Sequence, residues 1–239
     1  QTVTLGTLMQ QPEEDRAAFF INLYNALFTH TVIVLQALPT SDEVLQKVLQ
    51  KAQYKVDGTE ISLSELRRNR LKVDPPNKKA NLASLLLSQQ NFNYEYLFLM
   101  CTAARASPTL RLVTGKQLVS QMEEAAKELV TLGHVQLHKR DDGSSIITVP
   151  DQFANHAAIL QNGIRSAMKS YNGNLQSIQQ PFTRIFLQAF NENELKLIMN
   201  SKKVYVSPNP FVLPVTNFSY ITQSVMTIEP MFETLVNAK

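Results

Sequence analysis

The segment AFFINLYNALFTH, residues 18–30, constrains this chain most: it is too apolar to stay in water, yet it carries two amides that need partners once buried. Residues 12–38 around it read as one long helix. Pro12 is tolerated in a first turn, and Glu13, Glu14 and Asp15 put three carboxylates at the positive end of the helix dipole. Apolar residues then recur at Phe19, Leu23, Ala26, Leu27 and Ile33, close to a helical period. Asn22 and Asn25 lie on one face, and His30 projects about 80° from Asn22 at roughly 100° per residue. Asn22, Asn25 and His30, with Tyr24 beside them, can therefore border one cleft. Buried amides are usually satisfied by the backbone of a neighbouring loop, so a structural clamp is the first expectation. A pocket lined by Asn22, Tyr24, Asn25 and His30 is the second. Amides do no acid–base work in either case.

The other 226 or so of the 239 residues must supply the rest of the core, and with 44% hydrophobic residues and 18% charged ones they can. A disordered chain would lack that apolar area. One cysteine, Cys101, excludes an internal disulfide framework, and there is no CxxC or Cys/His cluster at zinc spacing. A reducing, cytoplasmic setting is expected, with no metal and no cofactor. Even the longest apolar run, residues 17–38, contains Asn22, Asn25, His30 and Gln36, so no transmembrane segment is expected. The sequence starts at Gln1, and the absence of a leader therefore carries no weight.

Along the chain the pattern is helix with short hairpins: an α+β, mostly helical fold with small antiparallel β-hairpins. Thr40, Ser41 or Asp42 can cap a helix running to about 53. Residues 54–61 flank Asp57-Gly58, a pair suited to a tight turn, and a short basic helix follows over 62–71 until Pro75-Pro76. Helices are expected over 81–90 and 94–104, and over 115–130 with Thr114 as cap. Strands at 135–138 and 145–149 flank Asp141-Asp142-Gly143. Helices return at about 151–169, 178–190, 192–200 and 222–236. The stretch 203–214, KKVYVSPNPFVLP with its flank, reads as extended and too proline-rich for a central strand. The expected organisation is a core domain over 1–170 and a C-terminal helical extension over 171–239 packed on it, with Asn172-Gly173-Asn174 as the break.

FFINLYNALFTH, AQYKVDGTEISLSELRRNRL, YLFLMCTAARASPTLRLVTGKQLVSQMEEAAKEL and ITVPDQF occur in that order. In order and spacing these blocks resemble the domain-of-unknown-function 547 family, over roughly residues 17–153. The resemblance implies an Ile-Glu-His run in the second block and, in the third, a Cys-Gly-Ala followed by Ser-Cys-Pro. Here Leu66 takes the isoleucine place, and Arg67 and Arg68 stand at the Glu and His places. Thr102 and Ser107 stand at the two cysteine places, Ala103 at the glycine and Pro108 at the proline, with Cys101 one position early. A thiol nucleophile needs an activating base, and most of the groups that could serve as nucleophile, base or ligand in relatives are missing here. The chain therefore reads as a divergent, catalytically silent member.

Two function classes remain in play. The leading one is an interaction module for a protein partner. Residues 63–79 hold six cations (Arg67, Arg68, Arg70, Lys72, Lys78 and Lys79) against Glu65 and Asp74. The apolar tail with Phe211, Val212 and Leu213 would assist them. The alternative is a Cys-His thiol hydrolase or transferase of papain-like or transglutaminase-like chemistry, using Cys101 and His30. A buried thiol beside a satisfied core histidine is the plainer reading of that pair. Nucleic acid is an unlikely partner of the chain, since the basic segment lacks interleaved aromatics and no nucleic-acid-binding motif accompanies it, while an anionic membrane surface is compatible with that segment. His134 and His138 lie about 13 Å apart if both are on one strand, too far to share a metal ion, and His156 does not complete a set. Asn217-Phe218-Ser219 matches a glycosylation acceptor that has no meaning in the cytosol.

Overall fold

The computed structural model describes residues 5–35, 42–74, 92–102 and 107–208. Helices dominate and two short antiparallel strand pairs accompany them, which is the α+β, mostly helical fold expected. Contacts group the described residues into two compact units. The first is built from residues up to Asp74 together with Leu99–Leu118. The second is built from 92–98 and 119–208. Neither is one continuous stretch of chain.

In the first unit, α1 (Leu5–Leu8) leads to α2 (Glu13–Leu35), whose first turn carries Glu13, Glu14 and Asp15. Every residue of α2 from Phe20 to Thr29 is buried, the pattern of a core helix rather than an amphipathic surface one. By length and mean hydropathy (1.4) Glu13–Val34 is apolar enough to cross a bilayer, but 78% of that window is buried inside the protein. The amides and His30 thus do not disqualify the run on composition; its burial is the distinguishing observation.

α3 (Asp42–Lys51) packs on the hairpin and helix that follow. Thr40 and Ser41 lie outside the described residues. β1 (Gln53–Val56) and β2 (Thr59–Ser62) pair with Val56 opposite Thr59, and Asp57 and Gly58 both take positive φ (48° and 77°), as a two-residue mirror-image turn requires. Ser62 caps α4 (Leu63–Glu65) by accepting the Glu65 N–H, and the chain then widens into a π-helical turn, Leu66–Arg70. Leu71 N–H reaches back five residues to the Leu66 carbonyl, and Val73 N–H reaches the Arg67 carbonyl, both at 2.9 Å. Lys72, between them, has φ 54°. The basic helix over 62–71 is present, but its wider winding buries Leu66 and Arg67 side by side.

The helix expected over 81–90 lies outside the described residues. That expected over 94–104 is a 3₁₀ turn, Tyr94–Leu99, and it stops where the Leu99 carbonyl and Cys101 N–H are taken by the Asn25 amide. Thr114 makes no capping bond to backbone; a 3₁₀ turn, Gly115–Gln117, leads into α5 (Leu118–Thr131). Gly115 lies so near the first turn of α2 that an added Cβ would collide with the Asp15 carboxylate.

In the second unit, β3 (Gln136–Lys139) and β4 (Ser145–Val149) form the expected hairpin. β5 (Val204–Pro208) joins β4 in parallel as an edge strand, so the extended, proline-punctuated stretch is non-central as read. Residues 209–239, with Phe211, Val212, Leu213, Asn217 and the helix expected at 222–236, lie outside the described residues. The Gln161 Oε1 accepts the Val206 N–H at 2.9 Å and closes part of that edge. A 3₁₀ turn (Asp151–His156) precedes α6 (Ala157–Ser170), which packs on β5. It is followed by α7 (Pro181–Gln188) and α8 (Glu192–Met199), the last with a full capping box from Asn191 and Glu194. Phe98, Phe153 and Phe182 meet at ring centroid distances of 5.3 to 6.0 Å. His156 is 1% exposed, its ring 5.1 Å from that of Tyr94.

Glu95 is the titratable group this packing perturbs most usefully. Burial pushes its carboxyl from 4.5 up to about 7, and a backbone hydrogen bond and the charge of Arg184 offset this only in part. The folded protein then holds a proton that the unfolded chain releases. Its contribution to stability therefore falls as pH rises from about 4.5 through about 7. Denaturant titrations should show Glu95→Gln gaining on the parent protein at pH 8 but not at pH 4; an unchanged difference between the two would refute the shift.

Candidate functional site

Of the residues singled out in the sequence, Asn22, Tyr24 and Asn25 lie at the middle of α2. Asn22 Nδ2 donates to the Val113 carbonyl at 2.8 Å, and Asn22 Oδ1 accepts the Val113 N–H at 2.9 Å. Asn25 Nδ2 donates to the Leu99 carbonyl and Oδ1 accepts the Cys101 N–H, each at 2.8 Å. Both side chains are buried, with Asn25 at 0% exposure. Each amide thus engages the backbone of a segment more than seventy residues away, which leaves little of it to offer a ligand.

Tyr24, fully buried, stacks on Phe28 with centroids 5.9 Å apart. The Arg67 guanidinium lies 5.7 Å from the Tyr24 ring centroid. Desolvation pushes the phenol up to about 12 despite the charge of Arg67, so it stays protonated at neutral pH. Arg67 was expected on a partner-binding surface. It is 7% exposed and forks onto Asp74, with Nε 2.6 Å from Oδ2 and Nη2 2.9 Å from Oδ1. Burial works against the guanidinium's charge, but Asp74 and Tyr24 outweigh it and hold its pKa above the ordinary value. The physical reason for the inward turn is the π-helical winding together with an acidic partner seven residues on. Arg68, Arg70 and Lys72 are exposed, and the Arg70 guanidinium rests 5.7 Å from the Phe20 ring centroid. Lys78 and Lys79 lie outside the described residues.

His30 sits apart from this group. It is exposed near the C-terminal end of α2, where its Nδ1 is 2.9 Å from the Tyr54 hydroxyl, and that hydroxyl donates to the Leu27 carbonyl at 3.0 Å and lies 2.7 Å from Thr31 Oγ1. Burial raises the Tyr54 phenol. Cys101 is half-buried, with its N–H on Asn25 and its thiol in electrostatic reach of Tyr24. The two family cysteine places are neighbours: Thr102 N–H donates to Ser107 Oγ at 2.9 Å, while the buried Thr102 Oγ1 has no hydrogen-bond partner among the described residues. So Asn25, Tyr24, Arg67 and Cys101 come together, whereas His30 is committed to the β1–β2 hairpin. Among the described residues no group of three His, Cys, Asp or Glu could hold a metal ion. Asp74 and Tyr54 were missed in the sequence; the first has a legible signal, a carboxylate just past a basic turn, and the second has none.

A family model for Protein of unknown function, DUF547 matches residues 8–130. The chain belongs to the DUF547 family. Three of the four blocks read from the sequence fall inside the match, and ITVPDQF falls beyond it. No curated protein and no solved structure matches the chain. Within this DUF547 domain Asn22 and Asn25 hold α2 against the backbone of Leu99, Cys101 and Val113.

That makes them stability residues first. Asn22→Ala or Asn25→Ala should each cost roughly 2–4 kcal/mol in equilibrium unfolding, because two buried backbone groups lose their partners. Losses under about 0.5 kcal/mol would show that water or backbone replaces them. Arg67→Lys should cost roughly 1–3 kcal/mol, since an ammonium cannot reproduce the fork onto Asp74; a neutral result in the same assay would show the fork to be dispensable.

Proposed function

We propose that this DUF547 domain is a catalytically silent interaction module that docks an acidic face of a protein partner on Arg68, Arg70 and Lys72. The observation that carries this reading is the split within one basic turn. Arg67 is spent internally on Asp74, while the cations that follow it stand in solvent. Exposed arginines beside an aromatic ring, as Arg70 is beside Phe20, are favoured at protein interfaces.

The chemistry around α2 supports the silent half of the reading. A general base must be able to take a proton near neutral pH. Tyr24, the phenol in reach of Cys101, is held near 12, and the arginine at the family's glutamate place remains charged. The thiol reading with Cys101 and His30 draws less support, because the His30 Nδ1 already faces the Tyr54 hydroxyl.

Reversing Arg68, Arg70 and Lys72 to Glu leaves Arg67 and the fold in place. Proteins recovered by the full chain from a cell extract should then fall at least about fivefold, and raised salt should mimic the loss. Recovery equal to the parent protein's would sink the docking surface. A cysteine-directed alkylating probe should label Cys101 at an unactivated rate that His30→Ala leaves alone; fast labelling lost in that variant would put the thiol enzyme in its place.

A further inference from the structure

The outer face of the β3–β4–β5 sheet has no part in the reading above, and its side chains form ordered rows. Because side chains alternate along a strand, the register fixes which ones share a face. His138 pairs with Ile146, and Ile146 pairs with Tyr205, giving a cross-strand row of ring, aliphatic chain and ring. His138 is exposed, Ile146 half-buried and Tyr205 37% exposed. The opposite face carries Ile147 and Val204, both at 0%, and turns to the core. At the hairpin end, Arg140 is two residues beyond His138 and Lys203 two before Tyr205, each just past the end of its strand and about 7 Å along the chain from its ring.

These cations converge by fold. The Arg140 N–H bonds the Ser144 carbonyl and the Ser145 N–H bonds the Lys203 carbonyl, both at 2.9 Å, which brings residues 140 and 203 to flank the same turn. Lys139 and Lys202 are exposed beside them. The opposing carboxylates are Asp141 and Asp142 at the turn. Asp142 accepts the Ser144 N–H at 2.8 Å and its hydroxyl at 2.6 Å, and those bonds hold its carboxyl below the usual range. At this end of the sheet four exposed cations stand against two carboxylates, one of them occupied, and alternation sets Arg140 and Lys203 in phase with the rings.

We propose that this sheet face binds single-stranded nucleic acid, with bases stacking on Tyr205 and His138 and the phosphate backbone passing Arg140 and Lys203. Flat rings on an open sheet, spaced about 10 Å apart across two strand intervals and rimmed by cations, match what stacking on unpaired bases needs. An acidic protein would need the cations but not the rings. An anionic membrane would need apolar side chains that protrude, and Ile146 is recessed between its neighbours.

The test is fluorescence anisotropy with the full chain and labelled oligo-uridine and oligo-deoxythymidine of about 12 nucleotides, against a duplex of equal length. Single strands should bind more tightly than duplex, and affinity should fall steeply between about 50 and 200 mM salt. Tyr205→Ala should weaken binding roughly 5- to 100-fold, with Tyr205→Phe within about twofold of the parent. His138→Ala, on the other edge strand, gives a second loss of the same kind should Tyr205→Ala fail to fold. Arg140→Glu with Lys203→Glu should weaken binding and flatten the salt dependence. Reversing Arg68, Arg70 and Lys72 should leave it unchanged, which separates this face from the protein-docking one. Absence of saturable single-strand binding, equal binding of duplex, or indifference to both ring deletions would overturn the proposal. An oligo-glutamate peptide that binds as tightly and competes would assign the face to an acidic protein instead.

Discussion

A helix buried from Phe20 to Thr29 has no aqueous side on which to leave an amide, and the bonds made by Asn22 and Asn25 therefore decide where the backbone at Leu99, Cys101 and Val113 can lie. Residues 107–114 have no helix or strand of their own to satisfy their backbone. The asparagines supply what secondary structure would have supplied, with each amide giving one donor and one acceptor to one stretch of backbone. A single bond of this kind contributes only about 1 kcal/mol net, but leaving its partner buried and unpaired costs more. The dependence is mutual. α2 can be apolar all round because the loop absorbs its amides, and the loop can be irregular because α2 answers its N–H and C=O groups.

Arg67 is the second fixed point, and it shows how a charge is accommodated beside the buried face of α2. An isolated buried guanidinium would be prohibitively costly, yet this one faces a bidentate carboxylate on one side and an aromatic ring on another. The consequence for Tyr24 is a phenol that desolvation keeps protonated. Tyr24 and Arg67, which share this contact, both keep one charge state near neutral pH. Burial shifts the Glu95 carboxyl of the second unit toward neutrality in the same way, with Arg184 opposing rather than causing the shift.

Much of this was legible from sequence where the signal is local. The period of α2, its acidic first turn, the Asp57-Gly58 turn and the 136–149 hairpin all follow from residues within a few positions of one another. The clamp was legible in kind, since a buried amide must bond something, but not in partner, because Val113 and Leu99 are set by tertiary packing. The inward turn of Arg67 was hidden by an assumed regular helical period; one extra residue in the turn moves a side chain from surface to interior. The truncation of the helix at Leu99 was hidden for a related reason, because propensity cannot register a competitor for the carbonyl that lies 74 residues away.

The parallel pairing of β5 with β4 shows most plainly what strand-by-strand reading leaves out. A hairpin announces itself through its turn, but a parallel neighbour some sixty residues on has no such marker. Yet that pairing sets Tyr205 in a row with His138 and places Lys203 near Arg140. A net charge of +3 on 239 residues gives no hint of it, because a sum over the chain carries no information about where its charges lie. The same charges scattered over a helical surface would be solvated and mute. Held in register beside two rings by backbone hydrogen bonds, they become a surface with a defined spacing, and spacing is what distinguishes a ligand site from a charge count.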